Sequence, residues 1–96
     1  MVKVVAKHFV KADKIDEYIS LAGKLVKETN EKDAGCIKYE LFQDNADPKI
    51  LTIIEEWESQ ELLDRHMEAK HFKELVPLLG ELCEKPGEIN LYRLLA

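Results

Sequence analysis

Apolar and polar residues alternate from Val2 to Lys11. Val2, Val4, Ala6, His8 and Val10 fall on one face, and Lys3, Val5, Lys7, Phe9 and Lys11 on the other. A period of two is that of a β-strand with one buried face, and His8 lies on its more apolar side. The period then changes. Ile15, Tyr18, Ile19, Ala22, Leu25 and Val26 recur at steps of three and four, which predicts an amphipathic helix of about five turns. Asp13 is its expected N-cap, Asp16 and Glu17 suit its first turn, and it ends near Gly35. "CIKYELFQD" alternates again, with Ile37, Tyr39, Leu41 and Gln43 on one side, and "DNADP" has the composition of a turn. "KILTIIEEW" is a third strand that groups Leu51, Ile53, Glu55 and Trp57. Ser59 caps a second helix with Leu62, Leu63, His66 and Met67 on its inner stripe. Pro77 is expected to kink or end that helix, because proline removes a backbone donor. "PLLGELCE" then supplies a short helical piece, "KPG" a turn and "EINLYRLL" the last strand.

The order β-α-β-β-α-β predicts one α+β domain over residues 1–96, ferredoxin-like, with an antiparallel sheet and its helices on one face. The sheet's other face would carry Lys7, Phe9, Lys38, Phe42, Ile54 and Glu56. That mixture is too polar for a deep core and too apolar to be left wholly wet, so a partner sheet, and hence a homodimer, is expected. A formal charge of −5 argues against nucleic acid. Charges interrupt every apolar run before the roughly 20 residues of a membrane span, and Lys3 and Lys7 break any signal-peptide core. An intracellular, cytoplasmic protein is expected, with Cys36 and Cys83 as free thiols.

The chemistry concentrates in "EEWESQELLDRHMEAKHF", Glu55 to Phe72, which holds the only tryptophan and two of the three histidines. Glu55, Trp57, His66, His71 and Phe72 fall at the spacing of a Glu-x-Trp strand end, a His nine residues on, and a second His before an aromatic five further along. With the opening strand, "DKIDEYI", "GCIKYELFQD" and "PGEINLYRL", the chain resembles the antibiotic biosynthesis monooxygenase family over nearly its whole length. The resemblance implies a dimeric α+β barrel of two ferredoxin-like subunits packed sheet to sheet. It also implies small-molecule chemistry in a pocket between each subunit's helices and its sheet. Some members oxygenate quinols or polyketide phenols without metal, flavin or haem, others degrade haem, and one branch processes a phosphorylated sugar.

A phenol or quinol reacts with oxygen once deprotonated, so a cofactor-free oxygenase needs a base titrating near neutrality, which histidine supplies. His66 is the expected base and Glu55 its orienting carboxylate. Trp57, Tyr39 and Phe72 are the expected aromatic walls, and His8 and His71 are further candidates for substrate binding. Five helical positions turn His71 about 140° from His66, so only a break around "EAKH" would bring both to one place. The plainer alternatives are a core tryptophan, a satisfied semi-buried His66 and a solvated Glu55. No metal is expected, since HExxH and CxxC are absent. No cofactor is expected either: where haem-degrading members carry an iron-ligating His and a first-strand Asn, this chain has Val76 and His8. The expected function is cofactor-independent oxidation of a quinol-like or phenolic small molecule by O2. Two alternatives stand beside it. One is a non-oxidative isomerase or lyase, its substrate phosphate held by Lys70, Lys73 or Arg93. The other is a ligand-binding stress-response module without turnover.

Overall fold

The computed structural model describes residues 1–96: β1 (Val2–Val10), α1 (Ile15–Lys32), β2 (Cys36–Gln43), β3 (Ile50–Trp57), α2 (Gln60–Glu68), α3 (Lys70–Glu81) and β4 (Cys83–Arg93). The four strands form one antiparallel sheet in the order β2-β3-β1-β4. This is the ferredoxin-like arrangement, with the second helical leg split in two. The period-two faces are realised: Val4, Ala6, Val10, Tyr39, Leu51, Ile53 and Trp57 meet Tyr18, Ala22 and Leu25 of α1, Leu63 of α2 and Leu79 of α3 in a single core.

Three local expectations are corrected. α1 starts at Ile15, so its N-cap is Lys14, one residue beyond Asp13, and no side chain caps it. The second leg breaks at Ala69, whose backbone is extended (φ −66°, ψ 148°), and Pro77 does not end α3, which continues to Glu81. Leu75, Val76 and Leu79 pack α3 against the core, and that burial outweighs the one backbone bond proline forfeits. "KPG" is not a turn but part of β4, where the pairing with β1 shifts register between Lys7 and Phe9 and again between Phe9 and Val10. Gly87 permits this close approach, since a Cβ there would stand 2.7 Å from the Lys7 carbonyl oxygen and 2.8 Å from His8 Cδ2. Ser59 does cap α2, accepting from the Leu62 N–H at 3.2 Å.

The register places Val5, Phe9, Phe42, Ile54 and Tyr92 together on the face away from the helices, among lysines and glutamates. Nothing in the chain covers it: Phe42 is 48% exposed and Tyr92 53%. No helix is long and apolar enough to cross a membrane.

Candidate active site

The site is built where α1 ends. Asp33 follows the last helical residue, and Gly35 turns the chain into β2 with φ +81°, a conformation that favours glycine. A side chain at Gly35 would also collide with Leu62, to whose Cβ a new Cβ would stand 2.8 Å. The Gly35 carbonyl accepts from the Glu58 N–H at 2.9 Å, and Asn30 Nδ2 donates to the Tyr39 carbonyl at 2.9 Å. These contacts fix the end of α1 against β2, β3 and the start of α2. Asp33 is thereby brought to two histidines: its Oδ2 lies 2.6 Å from His66 Nδ1 and 2.9 Å from His71 Nε2. The break at Ala69 is what lets both rings reach one oxygen.

The His66 side chain is only 1% exposed. Its ring lies 4.6 Å from the Trp57 ring, 5.0 Å from Phe72 and 5.2 Å from Tyr39, centroid to centroid. An ionised carboxylate only accepts hydrogen bonds, so the His66 proton belongs on Nδ1 and Nε2 is left bare. That Nε2 is buried and has no hydrogen-bond partner in the protein. Burial pushes the imidazole below its ordinary pKa, opposed but not reversed by the bond and the charge of Asp33. His66 is therefore neutral at pH 7, with its accepting nitrogen free.

His66 lines a cavity of about 550 Å³ between the helices and the sheet, together with Tyr39, Phe72, Glu55 and His8 among mainly aliphatic side chains. Glu55 does not orient His66. Its carboxylate accepts from Trp57 Nε1 at 2.9 Å, and burial raises its pKa to about 7 despite that bond. Trp57 is not a cavity wall: it is wholly buried behind His66, and Tyr39 and Phe72 supply the aromatic surface. His8 reaches the cavity from β1 with its Nδ1 buried and unpartnered, and burial lowers its pKa. His71 does not line the cavity; it stands on the far side of Asp33. Lys70 and Lys73 pair with Glu74 and Glu68, and neither they nor Arg93 line the cavity, where Lys85 is the only lysine or arginine.

Asp33 escaped the sequence reading, although a signal was available. A carboxylate at the C-terminal end of a helix opposes the helix dipole, so it needs a cationic or donor partner elsewhere. Asp33, His66 and His71 also resemble a metal-ligand set, with their candidate atoms all within 4.8 Å of one another. Two ligands of one ion at about 2.1 Å from it stand roughly 3 Å or more apart. The 2.6 Å contact is shorter, so this arrangement is a hydrogen-bonded one and would have to open to admit an ion.

The sequence model for antibiotic biosynthesis monooxygenases matches residues 1–78. The chain belongs to that family. A solved structure of a conserved protein from Methanosarcina mazei Go1 is 46% identical, with 96% of this chain and 90% of that one aligned and a TM-score of 0.92. A crystal structure described as an antibiotic biosynthesis monooxygenase is 35% identical over the full length of both chains, with a TM-score of 0.93. An uncharacterized protein of Synechocystis is 32% identical over 85 residues, 88% of this chain. The chain spans 57% of that relative's length. The cavity between helices and sheet and the Asp33 pairing are both read from the geometry of this chain.

Proposed function

We propose that the protein is a cofactor-independent monooxygenase acting with O2 on a hydroquinone-like or phenolic small molecule, with His66 as the base. The observation that carries this reading is His66 itself: neutral, held through Nδ1 by Asp33, lining an apolar, aromatic-walled cavity, and with a buried Nε2 that a side-chain shift must open to substrate. A substrate hydroxyl placed against Nε2 loses its proton to it, and the electron pair stays on the substrate oxygen. The resulting anion is electron-rich enough to pass one electron to O2, and radical recombination forms a carbon–oxygen bond. Loss of water then leaves a hydroxyquinone. A hydroquinone and O2 balance against a hydroxyquinone and one water, the substrate supplying every electron. The apolar walls exclude water that would solvate and quiet the anion. Glu55, protonated up to about pH 7, is a hydrogen-bond donor or acceptor for a second polar group on the ligand. The scarcity of cations at the cavity disfavours a phosphorylated substrate and with it the isomerase or lyase alternative.

The working unit in this reading is a homodimer, a second sheet covering the face of Val5, Phe9, Phe42, Ile54 and Tyr92. Sedimentation checks it: the 11.1 kDa chain should run as a dimer at micromolar concentration, and a stable monomer would refute the assembly. Oxygen uptake against a panel of hydroquinones and phenols, with chelator present, tests the chemistry. Uptake with formation of a hydroxylated quinone supports it. No uptake with any panel member, while the ligands still bind, would leave a binding module in its place.

A further inference from the structure

His66 and His71 share one carboxylate oxygen but face different spaces. His66 lines the inner cavity. His71 lines a separate depression on the outside of the molecule between α1 and α3, bordered by Lys24, Lys27, Glu28, Lys32, Lys70 and Glu74. The wall between the two spaces is crossed by an unbroken chain of hydrogen bonds: His66 Nδ1 to Asp33 Oδ2 at 2.6 Å, and Asp33 Oδ2 to His71 Nε2 at 2.9 Å. Its inner end, His66 Nε2, is sealed and unpartnered. At its outer end, the His71 side chain borders the groove and is 11% exposed.

We propose that His66, Asp33 and His71 form a charge-compensating proton relay linking the cavity to the groove between α1 and α3. The relay rests on the reading of His66 as the base. In the state ready for catalysis His71 holds both ring protons, Asp33 is ionised and His66 is neutral. The substrate O–H bond breaks, an N–H bond forms at His66 Nε2, and the electron pair remains on the substrate oxygen. Two imidazolium rings then share one carboxylate, which opposes their charges only once. His71 relieves this by releasing its Nδ1 proton to water in the groove. One proton enters at the inner ring, one leaves at the outer ring, and Asp33 never needs to be protonated. When His66 later gives its proton to the departing oxygen, His71 takes one back.

The surroundings suit this role. Around His71, Lys32 pairs with Glu28 and Lys70 with Glu74. Lys24 and Lys27 add positive charge at the groove, which favours proton release, while the Glu28 carboxylate, which feels both Lys27 and His71, opposes it. Around His66 and Asp33 the other titratable groups are Glu55 from β3 and Cys36 and Tyr39 from β2, and burial raises the pKa of all three, keeping them protonated into the neutral range. The positive charge of His71 lowers the His66 pKa and Asp33 raises it, so the three groups are electrostatically coupled.

Long-range proton–nitrogen spectra of the intact, histidine-labelled protein, recorded with chelator across the pH range in which both rings titrate, test the coupling without a substrate. The expected result is that each ring shows two steps, and that His71→Gln converts His66 to a single step at higher pH. Independent single steps in the wild type, with His66 unmoved in His71→Gln, would overturn the relay. Where the oxygen screen finds an oxidised naphthohydroquinone, His71→Gln should slow its turnover by about 10²-fold in dilute buffer, the low end for a positioned proton-transfer group. Added imidazole should restore the variant and leave the wild type unchanged, an effect a merely structural role for His71 does not produce. Unchanged turnover in His71→Gln defeats the relay while the base reading stands. Unchanged turnover in His66→Ala defeats the base reading and takes the relay with it.

Discussion

Replacing Glu55 by glutamine should make the protein more stable at pH 8 than it is with its native residue, and by much less at pH 4.5. Glu55 is buried, and its carboxyl is held at about 7 against an ordinary 4.5. Between those two pH values the unfolded chain has released the Glu55 proton and the folded chain has kept it. The stability associated with the protonated group is thus fully present below 4.5 and is lost as pH rises through 7. At about 1.4 kcal/mol per tenfold change in the equilibrium, that interval amounts to about 3 kcal/mol. Glutamine cannot ionise, and its carbonyl oxygen still accepts from Trp57 Nε1, so the substitution removes the pH-dependent cost and keeps the hydrogen bond. His8 and His66 titrate in both proteins and largely cancel in the comparison. Urea unfolding of the two proteins side by side from pH 4.5 to 8.5 measures the difference. It should grow by about 3 kcal/mol and then level off, and a domain of this size should show it as roughly 12–24 °C in Tm. A difference that stays flat across this range would show that Glu55 ionises normally in the fold and would refute the reasoning.

Three further outcomes are expected. Asp33→Asn should move the His66 titration downward, because both the bond and the charge that raise it are lost; histidine-resolved spectra check this, and an unmoved midpoint would contradict the pairing. Trp57→Phe should move the Glu55 titration upward, since the indole N–H is the contact that favours the ionised carboxyl; carboxyl carbon shifts measured against pH would show it. Gly35→Ala should cost about 1–3 kcal/mol in chemical unfolding, from the positive φ and the collision with Leu62, and a cost near zero would mean that the turn relaxes freely.

The sheet and its helical face were legible because alternation at period two and recurrence at three and four are local properties. Val4, Ala6, Ile53 and Trp57 go where those periods send them. The break at Ala69 is visible in the sequence only as the condition for His66 and His71 to meet, since alanine favours helices and Pro77 is the more obvious breaker. The break follows from packing two helical segments over one sheet. The partner of Glu55 was within reach. It shares a strand face with Trp57 two residues on, and a buried indole N–H wants an acceptor, yet histidine looked the stronger partner for a carboxylate. Asp33 was the harder case. It lies 33 positions from His66 and 38 from His71, so only the fold brings them together, and its poor fit to a helix C-terminus was the sole local sign.

The central claim is that His66 takes a proton from the substrate through its bare Nε2. The most direct measurement is turnover per folded molecule for His66→Ala and wild type across pH, on a hydroquinone that the oxygen screen identifies, with thermal melting of the same preparations. The expected result is a roughly 10²–10⁴-fold loss of turnover with folding retained. The wild-type rate should rise with pH and level off at a midpoint below the ordinary histidine value of 6.5. A lowered melting temperature with turnover per folded molecule unchanged would contradict the claim and make His66 a packing residue.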